Sequence, residues 1–335
     1  MKKILFAAAL AIFALIISSA CENPPIFAAI EQEVKLKPAS AKGNIRGMIR
    51  IGDTLYVANG KIYYKSVGDR GKWSEMSGCP SGFCAMIATD GSNLYASFGR
   101  DSSFKAYKYA SSTWMDLPGA AASAQYVVGS GTVFAINAGT IYPITGGGSV
   151  DPSWSHSGAP KGAAYTYCLF GDGLYGSTGT RISGSPTSGL KGICKGPVPN
   201  SVFVFDDSTL YCYNGTNWTN IAHGVKYPQS VTYLPNKQLV LISGRKGYGE
   251  IKLAGSNATL SGAQSVQAGS SDSSIPSKNY YQYANSVGKY TINPINAFDY
   301  GTNGYIIYVG VNDPNAKYTG LWGFYDPDQI EWNRE

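Results

Sequence analysis

The chain has 335 residues, with 27 Lys and Arg against 21 Asp and Glu, a formal net charge of +6 and only two histidines. Charged residues make up 14%, while Gly contributes 41, Tyr 25 and Pro 17, a composition of short strands and tight turns that excludes a helical bundle or a coiled coil. A hydrophobic fraction of 44% excludes disorder for most of the chain.

Met1, Lys2 and Lys3 precede an apolar run over residues 4–17, and Ser18, Ser19 and Ala20 then lead to Cys21. A charged start, an apolar stretch too short for a comfortable span and small residues before a cleavage point predict an export signal over residues 1–20. Cys21 directly after the small residues resembles a bacterial lipobox, with Ser18 in place of the usual Leu, as in the relaxed spirochaetal form. Cys21 is therefore the expected acylation site, and two or three acyl chains suffice for stable anchoring. No other apolar run approaches spanning length. Residues 21–28 read as a tether, and the mature charge becomes +4. That mild excess contains no Lys/Arg cluster, which speaks against nucleic acid as a partner.

From residue 29 onward the chain is expected to form one all-β domain. An apolar strand, a turn with Gly, Asp or Asn, and an apolar-aromatic step recur, first as Ile51, Gly52, Asp53, Thr54, Leu55, Tyr56 and then as Asp90, Gly91, Ser92, Asn93, Leu94, Tyr95. Weaker copies end at Val133-Phe134, Leu174-Tyr175, Leu210-Tyr211, Leu239-Val240 and Tyr305-Ile306, giving intervals of 39, 39, 41, 36, 29 and 66 residues. Trp73, Trp114 and Trp154 follow the first three copies by 18, 20 and 21 residues, with an alternating strand in between. Each repeat thus reads as four short antiparallel strands, the unit of a β-propeller blade. Seven blades are expected, with six or eight as alternatives because the fifth repeat looks one strand short. Residues 29–37 alternate and are expected to supply the outer strand of the last blade.

This Ala-Ile-Glu-Gln-Glu-Val-Lys-Leu-Lys opening, followed by the repeats, resembles a spirochaetal family of β-propeller lipoproteins. The resemblance implies an exported propeller anchored in the bacterial envelope and brings no catalytic residue with it.

Cysteines other than Cys21 are expected to be oxidised where geometry allows. Cys79 and Cys84 enclose Pro80 and Gly82, a turn that favours a local disulfide, while Cys194 has either Cys168 or Cys212 as partner. Neither metal nor cofactor is implied. His156 and His223 read as surface residues of outer strands, with no nucleophile elbow beside them. Asp206, Asp207, Asp299, Asp326 and Asp328 stand at turns and strand ends, none in a catalytic phrase. Stretches near Trp73 and Trp154 are degenerate relatives of the sialidase Asp box, a turn-stabilising feature in any case.

An insertion over residues 255–290 begins rich in Ser, Gly, Ala and Gln, then turns aromatic. Lys278, Tyr280, Tyr281, Tyr283, Lys289 and Tyr290 are the expected binding residues, because loops on a rigid scaffold carry recognition. The alternative is that Tyr280 to Tyr290 form an extra strand pairing inside blade six. Deleting residues 256–277 is expected to cost about 1 kcal/mol or less, since loop entropy grows only with the logarithm of length. The function expected is a lipid-anchored, non-enzymatic binding module for a protein or glycan. A divergent carbohydrate-active enzyme and an envelope-assembly scaffold are the alternatives.

Overall fold

Two-residue turns and apolar middles build the strands, and the computed structural model describes residues 40–70, 73–100, 103–145, 149–255, 257–268, 270–275, 290–312, 319–326 and 332–335. They form seven antiparallel sheets. Blade one holds β1 (Gly47–Ile51), β2 (Thr54–Ala58), β3 (Ile62–Ser66) and β4 (Ser74–Glu75); blade two holds β5 (Phe83–Thr89), β6 (Leu94–Arg100), β7 (Ser103–Ala110) and β8 (Thr113–Asp116). In blade three, β9 (Tyr126–Val128), β10 (Val133–Asn137) and β11 (Thr140–Thr145) are edged by two fragments, β12 (Ser149–Val150) and β13 (Trp154–Ser155), which both pair with β11. Blade four has β14 (Gly162–Ala164), β15 (Tyr167–Phe170) and β16 (Gly173–Gly176). Blade five has β17 (Gly192–Lys195), β18 (Val202–Phe205), β19 (Thr209–Tyr213) and β20 (Trp218–Ala222). Blade six has β21 (Ser230–Leu234), β22 (Leu239–Gly244), β23 (Gly247–Lys252) and β24 (Gln264–Gln267). Blade seven has β25 (Thr291–Tyr300), β26 (Gly304–Asn312), β27 (Gly320–Asp326) and β28 (Asn333–Arg334). The fold is a seven-bladed β-propeller.

The core is divided by blade interface. Seven apolar clusters each draw on two consecutive blades, and one of them joins blade seven to blade one through Tyr308, Tyr325, Met48 and Leu55. Second strands are covered on both faces by the flanking blades, which is why β22 reads Leu239, Val240, Leu241, Ile242 without a polar break. Outer strands such as β4 are exposed. Stacking thus buries what a single sheet would leave wet, at about 1.5–3 kcal/mol for each large side chain covered.

The incomplete blade is the fourth, not the fifth. The recurring turn lies between first and second strands in blades one and two but between second and third in blades four and five, where Leu174 and Leu210 sit on β16 and β19. Measured at the second strands, from Thr54 through Leu94, Val133, Tyr167, Val202 and Leu239 to Gly304, the spacings are 40, 39, 34, 35, 37 and 65, and the anomalous short interval disappears. In blade four a single bridge from Arg181 to Tyr175 stands where the outer strand would be.

Ring closure also differs from expectation. The outer strand of blade seven is β28, from the end of the chain, while residues 29–37 lie outside the described residues. The N-terminal contribution is shorter: Ser40 and Ala41 N–H groups donate to Glu335 O at 2.8 and 3.3 Å, and Lys42 bridges Gly320. Below, the lower face is the end where inner strands begin, and the upper face the end where they finish.

Candidate functional site

At the upper face the central channel widens into a cavity of about 550 Å³, within the size range of small-ligand pockets. Each blade contributes a wall residue within two positions of the end of its inner strand: Arg50, Thr89, Ser130, Tyr165, Lys195, Tyr233 and Asp299.

Main-chain bonds between blades frame one side of this mouth. Thr89 N–H donates to Gly129 O and Gly131 N–H donates to Thr89 O, both at 3.0 Å; Tyr165 N–H donates to Ser130 O at 2.9 Å and Thr132 N–H donates to Tyr165 O at 2.7 Å. Held on both sides, Tyr165 takes a left-handed φ of 51°, a conformation that costs a non-glycine residue about 1 kcal/mol or more. A Cβ on Gly131 would stand 2.9 Å from the Tyr165 main chain, so this approach requires glycine. The Tyr165 ring is thereby fixed on the cavity wall, with the Lys195 ammonium 5.1 Å from its centroid.

Charge in the mouth is uneven. Burial lowers the Lys195 pKa, and among the described residues no carboxylate lies within 4 Å of its ammonium. Arg50 instead donates to Gly52 O at 2.8 Å and reaches Asp53 at 3.4 Å. Asp299 spends one oxygen on the Asn236 N–H at 2.8 Å, and it is the one wall carboxylate among the described residues. The arrangement can bind an anion with a flat or apolar body, the anion at Lys195 and the body on Tyr165.

The model of the TP013X lipoprotein family matches residues 2–191 and 204–335. The chain belongs to the TP013X lipoprotein family. Among its relatives are uncharacterized lipoproteins of Treponema pallidum (strain Nichols): one is 28% identical over 384 residues, spanning 94% of this chain and 93% of the relative, and another is 26% identical over 359 residues with the same coverage. The WD40 β-propeller domain of Doa1 superposes with a TM-score of 0.54 at 12% identity, over 88% of this chain and 96% of that one, a likeness of fold alone. Membership in TP013X supports a membrane-anchored place in the bacterial envelope.

Of the residues singled out in this TP013X sequence, Cys21, Lys278, Tyr280, Tyr281, Tyr283 and Lys289 lie outside the described residues. Tyr290 is half-buried against the core between blades six and seven, and its carbonyl accepts the Gly247 N–H at 3.0 Å. The first part of the insertion is blade, not loop. It contains β24 and buries Ala258, Leu260, Ala268 and Ile275. Glu250 of β23, fully buried, accepts the Ser273 hydroxyl and the Ser274 N–H (2.8 Å). Burial raises its pKa, with these hydrogen bonds acting in the opposite direction.

Cys79 and Cys84 are free thiols, a correction to the expected disulfide. The Cys84 N–H donates to Gly60 O of blade one, and its side chain is buried in the core between blades one and two, where Sγ donates to Met86 O at 3.8 Å. Cys79 Sγ donates to Met76 O at 3.4 Å. Cys168, Cys194 and Cys212 are free as well. Cys194 and Cys212 lie on β17 and β19 with Phe203 of β18 between them, two strand spacings of about 4.8 Å, beyond the reach of a disulfide. His223 is buried, not exposed: its Nδ1 accepts the Val225 N–H at 3.0 Å, so Nε2–H faces Asp206 O at 3.2 Å, and burial lowers its pKa. His156 is stacked on Phe170 with centroids 3.8 Å apart. Sequence reasoning missed the mouth. Its seven residues recur at 39, 41, 35, 30, 38 and 66, and this repeat spacing is the signal that could have found them.

Proposed function

We propose that this lipoprotein is a non-enzymatic binding module, held to the envelope membrane by acylated Cys21 after loss of residues 1–20, and that it takes a carboxylate-bearing protein or glycan ligand into the upper mouth of its propeller. The observation that carries this reading is the Lys195 ammonium, partly buried over the Tyr165 ring with no carboxylate within 4 Å among the described residues. A ligand carboxylate there would complete a charge-assisted hydrogen bond. The glycosidase alternative is less well supported, since hydrolysis needs two carboxylates across one pocket and the described wall carries Asp299 alone.

The test is a binding screen of the full chain against acidic peptides and against uronic-acid and other carboxylated glycans. Lys195→Ala is expected to weaken the ligand found by about tenfold to a hundredfold, the worth of a hydrogen bond to a charged group. Tyr165→Ala should weaken it as well. If Lys195→Ala binds like the parent while replacing Tyr280, Tyr281 and Tyr283 with Ala abolishes capture, the binding residues belong to the tyrosine-rich segment and the mouth reading fails.

A further inference from the structure

Among the described residues, the lower face carries an excess of cations over carboxylates. Its described side-chain carboxylates are engaged: Glu75 with Lys61, Asp116 with Lys105, Asp172 with His156, Asp207 with Lys191, and Asp206 with the N–H groups of its own turn. Lys42, Arg46, Arg100, Lys161, Lys226 and Arg245 are exposed on the same face, at the starts of inner strands, at the turns beside them or at the N-terminal edge. Among the described residues no carboxylate lies within 4 Å of any of the six. Two of the exposed large apolar side chains stand among them, Phe83 at 42% and Tyr227 at 62% exposure. Arg46 lies over the Phe83 ring at 4.4 Å and Arg245 over the Tyr227 ring at 5.4 Å, so each aromatic has a cation beside it. On the upper face, by contrast, cations are accompanied by Asp53, Asp90, Asp299 and Asp326.

The chain leaves the ring at this same face. Ser40, Ala41 and Lys42 are pinned at the lower end of blade seven, and Cys21 lies 19 residues upstream. That length spans at most about 65 Å when extended. A tether rooted on the lower face holds this face at high effective concentration near the bilayer to which the lipoprotein is anchored.

We propose that the lower face is a lipid-docking surface: it lies against anionic phospholipid headgroups, its six cations facing phosphates and Phe83 and Tyr227 at the headgroup level. Aromatic rings beside basic side chains suit that interface, where each Lys or Arg near an anionic surface strengthens attraction about fivefold. The upper mouth then opens away from the membrane.

The experiment uses the full chain carrying Cys21→Ser, so that no acyl group contributes, and vesicles of pure phosphatidylcholine or of phosphatidylcholine mixed with phosphatidylglycerol. Sedimentation is expected with the anionic vesicles only, and to fade as salt rises. Combining Arg46→Gln, Lys226→Gln and Arg245→Gln should lower the partition coefficient about a hundredfold, whereas Lys237→Gln on the upper side should leave it unchanged. Thermal melts of each variant confirm that the ring is intact. Equal binding to both vesicle types, no binding to either, or a triple variant that binds like its parent overturns the proposal. Retention on polyglutamate without binding to anionic vesicles assigns the face to an acidic protein and overturns it too.

Discussion

Asp90 and Asp206 perform the same local task at opposite ends of a blade. Each accepts the main-chain N–H groups two and three residues ahead and the hydroxyl of the tyrosine five ahead, Tyr95 or Tyr211, at 2.7–2.8 Å. Burial would raise their pKa values, but the hydrogen bonds outweigh it and hold both carboxyls below the usual aspartate value. This is why the Asp-to-Tyr phrase recurs, and it is legible in sequence because all its partners are local. Cysteine pairing is not local in that sense: Cys79 and Cys84 are close in sequence, yet the pairing of β5 with its neighbours commits Cys84 to the core. Burial pushes the Cys79 thiol up to about 11 and the Cys84 thiol up to about 12. At pH 8 about one Cys79 in a thousand is thiolate. Both cysteines are therefore expected to be unbonded in peptide maps of unreduced protein, and to be alkylated slowly until the chain is denatured. A recovered Cys79 to Cys84 disulfide would show that the turn closes after all.

At the scale of elements, blade six carries the clearest departure from expectation. A Ser- and Gly-rich segment reads as a loop, since nothing in its composition says that Ala258, Leu260, Ala268 and Ile275 find cover. They find it because neighbouring blades offer apolar faces on either side, and because Glu250 fixes Ser273 and Ser274. Ile275→Ala should cost about 2–5 kcal/mol, the usual range for truncating a core isoleucine. Deleting residues 257–275 should unfold blade six rather than shorten a loop. Replacing Tyr280, Tyr281 and Tyr283 with Ala should leave the melt unchanged. Denaturant titrations of the three variants check this, and a deletion that melts like the parent would return the segment to loop status.

For the whole molecule, closure of the ring is the decisive contact. Lys65 of β3, 3% exposed, donates to Glu335 just beyond β28 and to the Tyr325 hydroxyl at 2.6 Å; Trp73 Nε1–H donates to the same Glu335 oxygen at 2.9 Å, and the Tyr308 and Tyr325 hydroxyls meet at 2.5 Å. A buried ion pair thus joins blade one to blade seven. The burial that lowers the Lys65 pKa is opposed by Glu335. Lys65→Met should destabilise the protein by about 3–5 kcal/mol, because it leaves the Glu335 carboxylate buried and unpaired. Adding Glu335→Gln should restore a large part of that loss. Equilibrium unfolding of parent, single and double variants measures the coupling, and strictly additive losses would mean that the two charges do not act as a pair.

The sequence by itself determined the all-β class, the seven-fold repetition and the lipoprotein resemblance, because strand alternation, turn aspartates and the apolar run before Cys21 are patterns of residues near one another. The near-constant offsets of Trp73, Trp114 and Trp154 from the first three copies were legible for the same reason, and the three stand on or directly before outer strands. Which turn of a blade each phrase occupies was decided only by tertiary structure, since an Asp-to-Tyr turn is equally stable between first and second strands or between second and third. The mouth and the closing ion pair also required it. Arg50 and Lys195 meet one cavity, and Lys65 meets Glu335, only when the ring brings distant blades together. Their energies come from burial and charge shared across blades, which no window of adjacent residues contains.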